Sequence, residues 1–556
     1  MIGVICKENE KDIAKEYFEL FKTPWEFFVP GRKYEVVLLT TEETNGQIVA
    51  PLIITYSARR IQSDDLRGIS AESVSSPDII VGHDIALPIY KELVILHSQG
   101  RPLLWKRLMT NPVAVEICQS GQKIIRVGYD LFNEISFLLS DGQPAKYSEY
   151  PSLDIQIALL RSWIVGAGIP IAEIPPIPLG YRFFACLTHD IDFVGIRRHK
   201  FDHTMWGFVY RALIGSAVDF LRGKVSFKKL IKNWFAAIKL PLVFIGVADD
   251  FWEHFDEYSN IDVGFGSTFF LIPFKNNPGA YIGDKSQYKR SVSYQVDEVA
   301  KQVKQLMDLG FEVGLHGIDA WNSSEKGFRE LSKIVEVIGH KDIGVRMHWL
   351  FYDHTSPSVL EQTGFEYDAT LGYNDTVGFK NGTSQIFRPI GLSRLLEIPL
   401  NIQDTALFYP RRLNLSENSA RQLCTTLLNV VCCYGGVLTL SWHERSLRPE
   451  RLWGDFYRWL LKELQANNAW IGNARQIVDW FRWRRSVIFQ NCNIQDGKLK
   501  IDLLNYDPIS KPGMFIRFHI PSRSKISSEG EYTDNIVDLQ WNGESAIEIS
   551  IPNEEV

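Results

Sequence analysis

From about residue 180 to 485 the chain keeps one rhythm: a short apolar run, a polar break, then an amphipathic stretch. The apolar runs are FFACLTHD, GSTFFLIP, FEVGLHG, IGVRMHWL, FEYDATLG, LLEIPL and GGVLTLSWH, and each has the length and composition of a strand. Helical patterns lie between several of them. SYQVDEVAKQVKQLMDLG sets Val296, Val299, Ala300, Val303, Leu306 and Met307 along one stripe and stops at Gly310. EKGFRELSKIVEVIG and SPSVLEQTG behave alike. Repeated βα units over such a length predict an α/β fold with a parallel barrel, complete or incomplete. Residues 201–260, rich in Trp and Phe, are expected as a helical insertion after the first strand.

The flanks keep other rhythms. Residues 1–175 mix strand-like pieces (MIGVIC, YEVVLLT, DIIVG, VGYDLF) with helical ones such as EKDIAKEYFELF and PIYKELVILHS, an α/β domain without a catalytic constellation. A proline-rich joint, Ile169-Pro170 through IAEIPPIPLG, follows. After about 486 the helical period disappears. SVIFQNCNI, KLKIDLLNY, MFIRFHIPS, NIVDLQW and AIEISI are short β segments between Gly, Asn, Asp and Ser. The expected organisation is an N-terminal α/β domain over 1–175, a barrel over 180–485 and a small β-sandwich-like domain over 486–556.

In a parallel barrel the functional groups gather where strands end. Here the polar punctuation lines up at those ends. The first strand finishes with Asp190 and Asp192. FEVGLHG finishes with His316, followed by Asp319 and Trp321; GVRMHWL carries Arg346 and His348. FEYDATLGYND supplies Asp368 and Asp375, and the last strand runs into Trp442-His443-Glu444. Side chains two apart on a strand share a face, so Asp190 and Asp192 are neighbours. Two close carboxylates repel unless one is protonated or a cation intervenes. A divalent metal on one and an arginine beside the other removes the conflict. A helix N-cap or a structural ion pair is the alternative for an isolated Asp-x-Asp, but the equivalent strand ends at His316, Arg346 and His443 favour a site.

THDID, EVGLHG, VRMHW and LTLSWHE resemble the successive motifs of NodB-type polysaccharide deacetylases, the family-four carbohydrate esterases. The resemblance covers about 180–485, and the proline joint with ACLTHDIDFVGIRRHK is similar to two-domain bacterial members. It implies an irregular, NodB-like (β/α) barrel and metal-dependent hydrolysis of an N-acetyl group on a sugar. Carried over residue by residue, it makes Asp190 the general base, Asp192 and His316 metal ligands, Arg346 the support of the base and His443 the general acid. An aspartate tuning that acid would be Asp368 or Asp375. The resemblance also implies a divalent cofactor, with zinc as the expected ion.

One departure matters. The family's second motif places two histidines four apart, and here Ala320 stands where the second would be. Asp319 or His348 is the candidate replacement. His199 and His203 have i,i+4 spacing, although the basic stretch RRHKFDH reads better as a solvated face or loop. Trp321, Trp349, Tyr352, Tyr373 and Trp442 lie near the motifs as candidate stacking surfaces for a sugar, each also able to serve as core. GFKNGTSQIFRPIG is expected as a substrate loop in which Arg388 meets an anionic group.

Three function classes follow: a deacetylase of amino sugars in a polysaccharide or its precursor, a hydrolase of another non-peptide C–N bond, and a metal-poor carbohydrate-binding protein with an impaired site. The net charge of −6 and the lack of a long basic run give no reason to expect nucleic acid. Seven cysteines, none in a CxxC pair, fit a reducing compartment. MIGVICKENEKD has no signal-peptide pattern, so a cytoplasmic location is expected. LCTTLLNVVCCYGGVLTLSW, 423–442, is long enough for a membrane helix, but Gly435-Gly436 divides it into an expected helix, turn and buried strand.

Overall fold

The computed structural model describes residues 1–42, 48–82, 85–107, 111–119, 121–280, 290–495, 497–505, 511–522 and 533–551. It divides into two compact units. One comprises 1–180, 381–383 and 479–556, the other 181–380 and 384–478.

The second unit is built on a curled parallel sheet. Its strands are β1 (Phe183–Ile191), β2 (Thr268–Leu271), β3 (Glu312–Gly317), β4 (Val345–Met347), β5 (Tyr367–Asp368), β6 (Leu396–Glu397), β7 (Ile402–Gln403), β8 (Val437–Ser441) and β9 (Ala469–Gly472). The order is β6-β5-β4-β3-β2-β1-β8-β7, with every pairing parallel. β9 pairs with Phe183–Cys186, below the stretch Thr188–Ile191 that pairs with β2. The result is a mixed α/β fold with a half-barrel, consistent with an irregular (β/α) barrel. All seven apolar runs become strands. β7 and β9 were not expected; IQ and AWIG are too short to stand out as periodic segments.

β1 shows why its sequence forms a strand buried on both faces. All nine residues are buried. Phe183, Ala185, Leu187 and Ile191 join the large core with helical residues such as Val303, Leu306, Ile334 and Leu427. Phe184, Cys186, Thr188 and Asp190 alternate onto the opposite, concave face. Apolar residues fill that face at the bottom and polar ones close it at the top, which leaves Asp190 at the mouth.

The helical expectations hold closely. The Val296–Met307 stripe is a 3-10 turn, Val296–Val299, running into the helix Ala300–Asp308. Ser323 caps Ser324–Ile338 by accepting Lys326 N–H, and Gly339 ends it at φ 84°. The 423–442 segment is a helix, Glu417–Tyr434, the Gly435-Gly436 turn, and β8. No helix among the described residues is long and apolar enough to cross a membrane. The insertion is helical too, with α1 (His203–Tyr210), a π turn over Arg211–Gly215, α2 (Ser216–Leu221) and α3 (Phe227–Phe244).

Among the described residues the first unit holds a nine-stranded mixed sheet, two three-stranded sheets and a two-stranded one. Ile2–Ile5, Val36–Leu39 and Asp78–Val81 are strands and Lys11–Phe21 is a helix, as expected. PIYKELVILHS, expected as helical, instead contains the strand Leu93–His97, because its β-branched VIL core pairs antiparallel with Ser70–Val74. VGYDLF ends the strand Gln122–Val127, and Asp130 then caps a helix by accepting Asn133 N–H. The joint also carries a strand: Ile171–Glu173 pairs with Arg517–His519 of Met514–Ser522. The C-terminal β segments therefore share a compact unit with residues 1–180.

Gly344 lets β4 pack closely. A Cβ there would meet the Tyr367 ring at 2.0 Å, and that ring is held by its hydroxyl donating to Glu312 at 2.7 Å. Gly344→Ala is expected to destabilise the second unit by roughly 1–3 kcal/mol through overpacking. A urea midpoint lowered with an unchanged slope would bear this out, and an unchanged midpoint would count against it.

Candidate metal and acid–base site

The upper ends of β1, β3, β4, β7 and β8 converge on a cleft of about 240 Å³. Asp190, Asp192, His316, His348 and His443 all line it. The two carboxylates of THDID share a face there and have different partners.

Asp190 accepts from Arg346 Nη1 at 2.9 Å and from Ser441 Oγ at 3.0 Å. Arg346 is fully buried, donates Nε–H to the Ala369 carbonyl at 2.8 Å and Nη1–H to Thr188 Oγ1 at 2.5 Å, and lies over the Phe270 ring. Burial alone would push the Asp190 carboxyl up. The Arg346 charge, then His316 and His443, outweigh it and hold it down at about 2.

Asp192 faces imidazoles instead. Its Oδ1 lies 3.2 Å from His316 Nε2 and 3.4 Å from His348 Nε2. One donor atom from each of Asp192, His316 and His348 falls within 4.8 Å of the others. His316 Nδ1 donates to the Arg346 carbonyl at 2.9 Å, which leaves its Nε2 lone pair aimed at Asp192. Burial lowers His348 to about 3, against the opposing pull of Asp192. Burial opposes ionisation of Asp192, yet His348, His316 and His443 hold its carboxyl well below the usual range. Its Oδ1 is buried and accepts no hydrogen bond. A buried carboxylate oxygen without a hydrogen bond thus faces two imidazole nitrogens at close range, an arrangement that a cation would relieve. Two imidazoles and one carboxylate form a donor set suited to zinc and similar divalent ions, and the backbone carbonyl behind His316 fixes its tautomer.

His348 sits immediately before two left-handed residues, Trp349 at φ 63° and Leu350 at φ 55°. Such a conformation costs about 1–3 kcal/mol for each bulky residue, so the fold maintains a strained turn just where this imidazole enters the cleft. Ala320, where the second motif histidine was expected, is fully buried core.

His443 faces the same cleft from beyond β8. Its Nε2 is 3.8 Å from Asp192 Oδ2, and its Nδ1 is 2.6 Å from Asp404 Oδ1. Asp404 also accepts His443 N–H at 2.7 Å, Thr405 N–H at 2.5 Å and the Ser446 hydroxyl. Burial works against charge on His443, but Asp404, then Asp192 and Asp190, outweigh it and raise the imidazole to about 9.

Asp404 was not among the expected residues. It follows the two-residue β7 in NIQDTALF, and without that strand in view nothing placed it at a strand end. Asp368 accepts from Thr370 N–H at 3.0 Å, and Asp375 is exposed and does not line the cleft. Asp404 therefore occupies the place expected for one of them. Gln403, Tyr409, Arg412, Arg445 and Arg451 also line the cleft and were not singled out.

Several expected residues lie elsewhere. Asp319 accepts Ala280 N–H at 2.6 Å and faces Arg290 and Lys326, outside the donor cluster. Trp442 is fully buried and parallel to Phe456, with ring centroids 6.0 Å apart. Trp321 is buried against Phe351. Tyr352, Tyr373 and Arg388 do not line the cleft, so among the expected sugar-contacting residues Trp349 alone does. The segment expected as a substrate loop is largely buried: Asn381 Nδ2 donates to the Leu138 carbonyl at 2.8 Å and Thr383 Oγ1 to Asp154 at 2.7 Å, all within the first unit. His199 is occupied by Asp202 and the Ser293 hydroxyl, a structural arrangement.

No family model and no curated protein matches the sequence. Solved structures show partial likenesses. A polysaccharide deacetylase structure from Mycobacterium smegmatis is 18% identical, with 56% of this chain and 95% of that one covered, at a TM-score of 0.31. The PuuE allantoinase is 13% identical over 55% and 92%, at 0.33. A CE4-family pseudoenzyme from Bacillus anthracis is 12% identical over 42% and 63%, at 0.23. Overlaps this partial carry no weight for the chemistry, which depends on the side chains of the cleft.

Replacing His348 with Ala is expected to weaken binding of zinc by more than about a hundredfold, beyond the effect of losing a supporting contact. Asp319→Asn should leave it unchanged. Calorimetric titration of the metal-free chain measures both, and equal effects would contradict the donor assignment.

Proposed function

We propose that the second unit is a metal-dependent hydrolase that removes N-acetyl groups from amino sugars of a polysaccharide or its precursor. The observation that carries the proposal is the division of labour in one cleft. A carboxylate is held ionised by a buried arginine, a second carboxylate faces two imidazoles, and a third imidazole is backed by a buried aspartate.

In this reading Asp192, His316 and His348 would hold a divalent ion. When bound, such an ion supplies Lewis acidity to the acyl oxygen and makes a water more acidic. The remaining chemistry belongs to the chain. Asp190, kept anionic by Arg346, accepts the proton of the attacking water as its hydroxide adds to the acetamide carbon. The C–N bond then breaks as His443 Nε2–H donates to the departing nitrogen, giving the free amine and acetic acid. Solvent exchange returns a proton to His443 and removes one from Asp190. By accepting Nδ1–H, Asp404 stabilises the His443 imidazolium and leaves the proton on Nε2, facing the cleft, as the one that is transferred. Arg346 cannot be replaced by lysine without loss, because it serves Thr188, Asp190 and the Ala369 carbonyl together.

The impaired-binder alternative rested on the missing motif histidine. His348, with Nε2 3.4 Å from Asp192, weakens that alternative.

With N-acetylated oligosaccharides and metal supplied, acetate release is expected. Asp190→Asn and His443→Gln should each reduce it by about 10²–10⁴-fold while the metal stays bound. Bound metal without acetate from any N-acetylated sugar would sink the deacetylase reading and direct attention to another C–N bond.

A further inference from the structure

More than half of the large apolar side chains left exposed among the described residues fall between Phe201 and Val247. Scattered exposed apolar residues are ordinary, but a concentration of them marks an interaction surface. The distribution is ordered as well. On α3 and the residue that caps it, Ile231, Trp234, Phe235, Ile238, Leu242 and Ile245 are exposed, at the spacing of one helical stripe. The opposite stripe, Leu230, Ala236, Leu240 and Val243, is buried, and its last three residues pack with Met205, Phe208, Ala212 and Trp252. α3 is thus apolar on two faces, and the protein covers one.

The antiparallel partner repeats the pattern. Trp206, Tyr210, Ile214 and Leu221 are exposed along α1, the π turn and α2. Trp234 Nε1 donates to the Leu213 carbonyl at 3.1 Å, and Phe220 meets Phe227 with ring centroids 5.8 Å apart, so both helices contribute to one surface. That surface is basic. Residues 201–247 carry seven Lys or Arg against two Asp, in a chain whose net charge is −6; Arg211 and Lys229 are paired with Glu450 and Glu417, and the remaining cations still exceed the acids. Lys228, Lys232 and Lys239 are exposed beside the α3 stripe, and Lys239 lies over the Phe235 ring at 4.6 Å.

We propose that this helical hairpin docks the protein on an anionic lipid bilayer. An aliphatic and tryptophan-bearing stripe flanked by lysines is what the boundary between headgroups and acyl chains accommodates: rings and aliphatic groups enter, and ammonium groups reach back to phosphates. The hairpin lies on the membrane and does not span it, as no described helix is long and apolar enough to cross. A twofold pairing of two copies would oppose like charges across the interface, so charge complementarity favours the bilayer. The hairpin is also fastened to the segment that contributes Arg445 and Arg451 to the cleft: Arg211 pairs with Glu450, and Asn233 accepts Glu450 N–H at 2.7 Å.

Flotation of the full chain with vesicles of phosphatidylcholine, with and without phosphatidylglycerol, tests the proposal. Binding is expected chiefly to the phosphatidylglycerol vesicles. The combined Lys228→Ala, Lys232→Ala and Lys239→Ala variant should bind them about a hundredfold more weakly. Ile231→Glu with Ile238→Glu should abolish flotation with both lipids while the thermal melt stays as in the parent, since both side chains are exposed. Should that pair melt early, Ile238→Ser alone must still weaken flotation. A parent chain that fails to float overturns the proposal. So does flotation that the substitutions leave unchanged, or a concentration-dependent dimer that Ile231→Glu with Ile238→Glu dissociates.

Discussion

Two carboxylates two residues apart, at the end of one strand and just beyond it, that line one cleft cannot both keep their charge unaided. The repulsion between Asp190 and Asp192 is the constraint around which the second unit is arranged. The chain meets it by giving each carboxylate a different partner. Arg346 comes to Asp190 from the next strand but two, with its guanidinium buried. His316 and His348 come to Asp192, and they bring lone pairs as readily as protons. Burial raises the stakes of both pairings, because a buried charge without a partner costs several kcal/mol. Similar groups thereby acquire different chemistry: one carboxylate is a free base, the other is part of a cation-sized donor set.

The curled parallel sheet supplies the precision this needs. β1, β3, β4 and β8 are parallel, so their C-terminal ends face one way and deliver Asp190, His316, Arg346 and Ser441 to one mouth. His443 and His348 arrive two residues or fewer beyond their strands, where the chain turns. The strained Trp349–Leu350 turn is tolerated because the rest of the sheet holds it.

Most of this frame was legible in the residues. Short continuous apolar runs declare strands buried on both faces, and Asp190, Asp192, His316, Arg346 and His443 stand at or near their ends. What stayed hidden shares a physical reason. Asp404 follows a strand of two residues, too short for any period to register. Trp442 directly follows β8 and Trp321 lies in the turn after β3; both sit beside motif residues in sequence, but both rings went into the core, a choice made by packing. The choice between Asp319 and His348 turned on the path of two loops, which local spacing does not encode. In the insertion, apolar richness foretold helices but not that a stripe of apolar side chains would stay exposed.

The account depends on a divalent ion seated among Asp192, His316 and His348 while Asp190 stays free. An anomalous difference map from a zinc-soaked crystal tests that most directly. The account expects one strong peak at about 2.0–2.2 Å from one oxygen and two imidazole nitrogens of those residues. A peak that takes Asp190 as a ligand, or one that lies away from His348, would contradict it.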